Sequence, residues 1–267
     1  MEGNTAWLLT SAALVLLMTP GLAFFYGGMV RSKSVLNIMM MCFGAIGLIG
    51  VLWVLYGYGL AYGDDVGGLF GWSNDLLGIT GLLDFDPEAD PTGGTVDVAF
   101  QAMFAIITVA LIAGAIADRA RFGPWLLFAG LWATLVYFPV AHWVWGDGGW
   151  IGEMGALDFA GGTAVHINSG AAALALAIVL GKRKGWPQEP MKPHNLPFVM
   201  LGAGLLWFGW FGFNAGSAYA ADGVAGVAFV NTVTATCAAM LGWLLVERVR
   251  RSEEHTSELQ SPMYLVC

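Results

Sequence analysis

Seven stretches of the chain are apolar over membrane-spanning lengths, and the polar residues between them are sorted by charge. The apolar runs cover about residues 6–26, 36–62, 98–117, 124–144, 163–180, 198–215 and 225–246. Crossing ~30 Å of hydrocarbon takes about 20 helical residues, so the pattern predicts seven transmembrane helices. The start of the first run, 6–18, has the look of a signal-peptide core. It has no basic residue ahead of it and no small-x-small cleavage site, and its apolar character continues to Tyr26. It therefore reads as a first span, kinked at Pro20. Residues 1–251 form one membrane domain. The segment 252–267, SEEHTSELQSPMYLVC, is polar, lacks any membrane period, and stands where another loop and span are expected. It reads as foreign to the fold.

The charges supply the topology. Arg31 and Lys33 follow the first run, Arg119 and Arg121 the third. Lys182, Arg183, Lys184 and Lys192 follow the fifth, and Arg248, Arg250 and Arg251 the seventh. All 11 basic residues thus lie on one side of the membrane. The positive-inside rule makes that side cytoplasmic and leaves the N-terminus outside, the orientation of a multi-pass protein of the inner or plasma membrane. The opposite side is acidic. Eight carboxylates and no basic residue lie between Asp64 and Asp97, and Asp147, Glu153, Asp158 and Asp222 share their side. Such a surface concentrates cations, although Asp, Gly and Pro also serve a solvated, turn-rich loop. The run 84–90 lacks the ligand spacing of an EF-hand calcium loop.

Composition narrows the class. The chain is 57% hydrophobic and 11% charged, with a mean hydropathy of +0.68. Its 38 Gly and 12 Trp suit an all-α integral membrane protein, in which Gly allows close helix approach and Trp settles at interfaces. Cys42 and Cys237 lie in apolar runs and Cys267 is terminal, so there is neither a disulfide framework nor a metal-ligand spacing. No nucleophile–base pair, cofactor or metal cluster, or nucleic-acid-binding pattern is present, which argues against an enzyme.

Candidate chemistry concentrates in the stretch 158–168, DFAGGTAVHIN. Asp158 precedes an apolar run and His166 sits about one turn inside it; ionisable groups in such a run mark a pathway or face a partner. Asp158 is placed to cap the following helix, at the positive end of its dipole. Gly161 and Gly162 between them admit a close approach of backbone or solute. The topology then brings further residues to the same outer depth. Phe100 and Phe104 share a face of the third span, Trp143 and Trp145 end the fourth, and Phe213, Asn214 and Ser217 end the sixth. Aromatic faces attract a desolvated cation by ~2 kcal/mol or more. A hydroxyl accepts one of its N–H bonds, and a nearby carboxylate adds longer-range attraction. Each residue alone has a plainer role: Trp as interface anchor, Phe pairs as packing, Ser as cap, His166 as a hydrogen-bond partner of a neighbouring helix. Their shared depth favours the joint reading. His166 can solvate a small neutral hydride or relay a proton. The roles of His142 and His194 stay open.

Five stretches, PGLAFFYGG (20–28), AHWVWG (141–146), DFAGGTAVHIN (158–168), KPHNLP (192–197) and WFGFNAGS (210–217), together resemble the ammonium transporter family (Amt/Mep/Rh) on its bacterial Amt side. The resemblance covers about residues 5–250. It implies an eleven-span fold of two inverted five-helix repeats, of which seven spans are present here, assembled as a homotrimer with one pore per subunit. Residue by residue, Phe104, Trp145 and Ser217 match the outer ammonium-binding site. Phe104 and Phe213 match the stacked pore gate, Phe100 a supporting vestibule aromatic, and Asp158 the aspartate that organises the site from behind. His166 matches the first histidine of a pair whose second member belongs to the tenth span, so no residue here is assigned to it. The implied activity is binding of ammonium, or methylammonium as its analogue, followed by deprotonation and conduction of ammonia, without a cofactor. A PII-type regulator on the cytoplasmic face is an implied partner. A 267-residue chain leaves the pore wall open and is expected neither to fold stably nor to transport alone. An ammonium sensor on the same fold is the alternative. An unrelated polytopic enzyme or small-solute channel is less well served, lacking for instance the paired Asn-Pro-Ala loops of a water channel.

Overall fold

The computed structural model describes residues 2–84 and 94–253, the last three by backbone alone. Seven helical segments are long and apolar enough to cross a membrane: Glu2–Met29, Ser32–Tyr62, Thr95–Ile116, Phe122–Glu153, Gly162–Leu180, Leu196–Gly216 and Gly223–Arg250. Each predicted run falls within its segment to within one residue. The chain is thus an all-α, multi-pass membrane protein with seven spans in place. Of the segment predicted to be foreign, residues 254–267 lie outside the described residues, as do residues 85–90 of the acidic run considered for calcium.

The first span continues as one helix through Pro20. Proline costs one backbone hydrogen bond, which neighbouring helices offset in a membrane bundle; Thr19 and Gly21, on either side of it, are buried. The first and sixth spans form the most extensive helix pair of the structure, and the sixth supplies the means. A Cβ on Gly209, Gly212 or Gly216 would run into Leu14, Ser11 or Met18 of the first span, at 2.6 Å for Leu14 Cβ from Gly212 and for Ser11 Cβ from Gly216. Small residues at the interface let helix backbones come together where lipid offers no hydrophobic drive.

The third span is the buried centre, with 72% of its apolar window covered. It contacts the first, second and fifth spans. The fifth and seventh are the least covered, at 17% and 11%. Three spans carry a π-helical turn: Trp53–Gly57 in the second, Ala133–Tyr137 in the fourth and Gly162–Ile167 in the fifth. Such turns recur at functional sites. The first two meet through the Tyr56 and Thr134 hydroxyls, 2.9 Å apart.

Residues 63–97, expected to be loop, contain regular structure. Strands β1 (Asp64–Val66) and β2 (Phe70–Trp72) pair antiparallel, Asp65 opposite Gly71. Gly67 and Gly68 turn between them at φ of 64° and 72°, values that only glycine adopts freely. Strands of three residues are too short to show alternation in a sequence. Asp65 accepts the Gly68 amide at 3.0 Å. Its Oδ1 also lies 3.1 Å from His142 Nε2, whose Nδ1 faces the Ala61 carbonyl at 3.0 Å. His142, fully buried, therefore pins the hairpin to the ends of the second and fourth spans.

The His142 contact and the Gly68 amide hold the Asp65 carboxyl below the usual carboxylate range. A carboxyl depressed in the folded state stabilises above its unfolded pKa of about 4, and that contribution is lost as pH falls through the folded value. Protease resistance of the hairpin is accordingly expected to drop below about pH 4. In Asp65→Asn it should be weaker at pH 7 and fall less with acid. Parallel pH profiles for the two proteins would count against the clamp.

On the predicted cytoplasmic side, the side chain of Asp118 is fully buried and receives Arg31 Nε at 3.2 Å, with Arg183 Nη1 at 3.7 Å. One carboxylate thus ties together the segments that follow the first, third and fifth spans. His194 Nδ1 lies 3.0 Å from the Val30 carbonyl, which fastens the start of the sixth span to the end of the first.

Candidate functional site

The stretch 158–168 folds around its carboxylate. Asp158 Oδ1 accepts the amides of Gly161 and Gly162 at 2.6 and 2.9 Å, and Oδ2 those of Thr163 and Ala164 at 2.7 and 2.9 Å. The first amides of a helix have no partner within it, and here one side chain takes four of them. Gly161, at φ 94°, makes the turn that aims them inward. A Cβ there would also lie 2.6 Å from Val165 Cγ2 and 3.5 Å from the Phe213 ring. The Asp158 carbonyl accepts Trp145 Nε1 at 3.0 Å, so the same residue fixes the indole at the end of the fourth span.

Around that turn the aromatic residues form a column. Trp145 meets Phe104 edge-on at 6.2 Å. Phe104 and Phe213 stack at 4.4 Å with 20° between their planes, and both are fully buried. His166 meets Phe213, the other ring of the pair, at 5.7 Å and stacks on Trp210 at 5.6 Å and 5°. Phe100 supports Phe104 from one turn earlier, at 4.9 Å. The ring contacts thus run in the order indole, stacked phenyl pair, imidazole.

Ser217 ends the sixth span. Its Oγ donates to the Phe213 carbonyl at 2.7 Å, so the proton is engaged within the helix and the lone pairs remain as acceptors. The set offers aromatic faces and hydroxyl acceptors to a cation at its outer end, and one imidazole with a donor and an acceptor beyond the stacked pair. Among the described residues no group of three or more His, Cys, Asp or Glu is placed to hold a metal.

Ring contacts and hydrogen bonds join the sequence-predicted residues Phe100, Phe104, Trp145, Asp158, His166 and Phe213 across four spans, and Ser217 caps the helix that carries Phe213. Asn214 is turned away from them, its Nδ2 donating to Thr232 of the seventh span at 2.9 Å. Trp143 faces the hairpin, where its Nε1 donates to the Leu69 carbonyl at 2.7 Å. Two features escaped sequence reasoning. Trp210, three residues before Phe213, shares its helix face, a spacing that marks it as a neighbour of the column. Asp97, Gln101, Tyr58 and Tyr219 form a polar network beside Phe100; only the tertiary fold reveals it.

Comparison with known proteins gives a consistent result. The Ammonium Transporter Family matches residues 6–262. The chain is 63% identical over 277 residues to an ammonium transporter of Mycobacterium tuberculosis, covering 95% of this chain and 58% of that protein. Its structure resembles crystalline Mep2 of Candida albicans, at 35% identity and a TM-score of 0.85, over 99% of this chain and 58% of that one. It also resembles a protein described as a sensor Amt protein, at 29% identity and a TM-score of 0.85, over 94% of this chain and 63% of that one. The chain therefore spans somewhat under two thirds of the length of these relatives.

Proposed function

Because this chain belongs to the ammonium transporter family, we propose that it serves ammonium transport, through a pore that begins at the aromatic column. The observation that carries the reading is the order Trp145, Phe104 stacked on Phe213, then His166. Ammonium is drawn to the acidic outer side and held by the faces of Trp145 and Phe104, with the Ser217 oxygen accepting one N–H. A bare cation in low dielectric is far more costly than a small dipole. The ion therefore gives up its proton at the outer site, and ammonia alone passes the Phe104–Phe213 pair. The proton crosses by a separate route. His166, beyond the pair, offers the neutral molecule a hydrogen bond, and Trp210 keeps its ring in plane. Asp158 holds the turn from behind and does not touch the ion.

In this reading the N-terminus is outside, the arginine- and lysine-bearing loops are cytoplasmic, the protein is a homotrimer, and a PII-type regulator meets the cytoplasmic face. The segment 252–267 is read as foreign in sequence to the membrane domain. Similarity to a sensor Amt protein supports a second reading, in which occupancy of the same outer site signals to a cytoplasmic partner.

Uptake tests these readings. Cells lacking their own ammonium uptake should accumulate labelled methylammonium saturably when they express these seven spans within a protein of the length of the curated relatives, of which the chain covers 58%. His166→Asp and Trp145→Leu should each lower that uptake at least about tenfold, equivalent to about 1.4 kcal/mol or more of lost transition-state stabilisation. Saturable binding without flux would favour the sensor. Uptake indifferent to both substitutions would remove the column from the pathway.

A further inference from the structure

We propose that Asp97 is a positioning residue for the outer site, holding the Ser217–Tyr219 turn against the third span through the Tyr219 hydroxyl. The proposal rests on the transport reading for its functional half. Asp97, Phe100, Gln101 and Phe104 stand at i, i+3, i+4 and i+7 of one helix, and so share a face. Tyr219 lies across that face. Its hydroxyl donates to Asp97 Oδ1 at 2.6 Å and accepts from Gln101 Nε2 at 2.7 Å. Its ring meets Phe100 edge-on at 5.6 Å. The second carboxylate oxygen takes the Tyr58 hydroxyl at 2.9 Å. One side chain therefore joins the ends of the second and sixth spans to the start of the third, and no lysine or arginine pairs with it among the described residues.

The turn needs such a hold. Tyr219 has φ 57°, in the left-handed region that a residue with a side chain seldom adopts. Side-chain bonds, more than backbone preference, keep it there. Ser217 lies two residues earlier, at the cap of the same helix. Release of Tyr219 would free the turn that carries Ser217 and deprive Phe100 of its edge contact. Both changes loosen the outer site without touching the stacked pair or His166.

Two substitutions probe this in the natively encoded protein. Tyr219→Phe removes the bridging hydroxyl and keeps the ring; Asp97→Asn keeps the shape and leaves one acceptor oxygen. Hydrogen exchange of the 217–222 amides should speed up at least about tenfold in both, because local opening is no longer resisted. The half-saturation concentration for methylammonium should rise about three- to tenfold, with maximal uptake within about twofold of the parent. Unchanged exchange in both variants would overturn the proposal. Faster exchange with an unchanged half-saturation would overturn it as well, by reducing Asp97 to a fold-stabilising residue. Should the parent show no saturable uptake, the transport reading fails, and exchange alone decides whether Asp97 holds the turn.

Discussion

Gly202→Val is expected to prevent the first and sixth spans from closing and to leave little folded protein. A Cβ at Gly202 falls on the Phe25 amide nitrogen and lies 2.6 Å from the Gly21 carbonyl oxygen. Both are backbone atoms of the partner helix, so no rotamer change relieves the clash. The helices must move apart, and the contacts at Gly209, Gly212 and Gly216 further along the same pair would open with them. Overpacking a core costs about 1–3 kcal/mol when side chains can adjust, so the cost here should reach at least the top of that range. Membrane helix pairs have no hydrophobic drive to compensate. Gly204→Val is the control: it lies two residues away on an exposed face, with nothing within 4 Å of its would-be Cβ. Thermal melting followed by size-exclusion chromatography of the natively encoded protein should separate the two. A Gly202→Val protein that melts with the Gly204→Val protein would show that the pair tolerates a wider spacing.

The seven spans were legible because hydrocarbon thickness imposes a length that few other constraints share. The outer site was legible for a related reason. Once alternating topology fixes depth, Phe104, Trp145, Asp158 and Ser217 must come near one level, whatever the packing. What topology leaves open is rotation about each helix axis. That is why Trp143, adjacent in sequence to useful residues, ends on the hairpin, and why Asn214 faces the seventh span. The His142–Asp65 clamp, the Asp118 node and the Asp97 network each join residues at least 39 positions apart through side chains of ordinary type. No local period announces such pairs. The hairpin was missed because its strands are three residues long.

Asp158→Ala should be the most damaging change at the site itself, and for a reason other than lost attraction for the ion. The carboxylate takes four amides within 2.9 Å, from Gly161 to Ala164. Alanine would leave all four without a partner at a helix start. Losing an ordinary cap costs about 0.5–2 kcal/mol, and each bond to a charged group is worth about 1.5–3 kcal/mol. The four bonds are not independent, but a loss of about 3 kcal/mol or more is the reasonable expectation. The turn also carries the carbonyl that fixes Trp145 and the backbone that backs Phe213. Both ends of the column should therefore lose register, and methylammonium uptake should fall below detection. Asp158→Asn separates the structural part from the electrostatic one. Its single carbonyl oxygen can keep two of the four amides, so it should melt between the parent and the alanine protein. If asparagine restored the melting temperature and left uptake absent, the charge itself would be required at the outer site. If both returned together, the carboxylate acts by building the turn, which is what its four short bonds indicate.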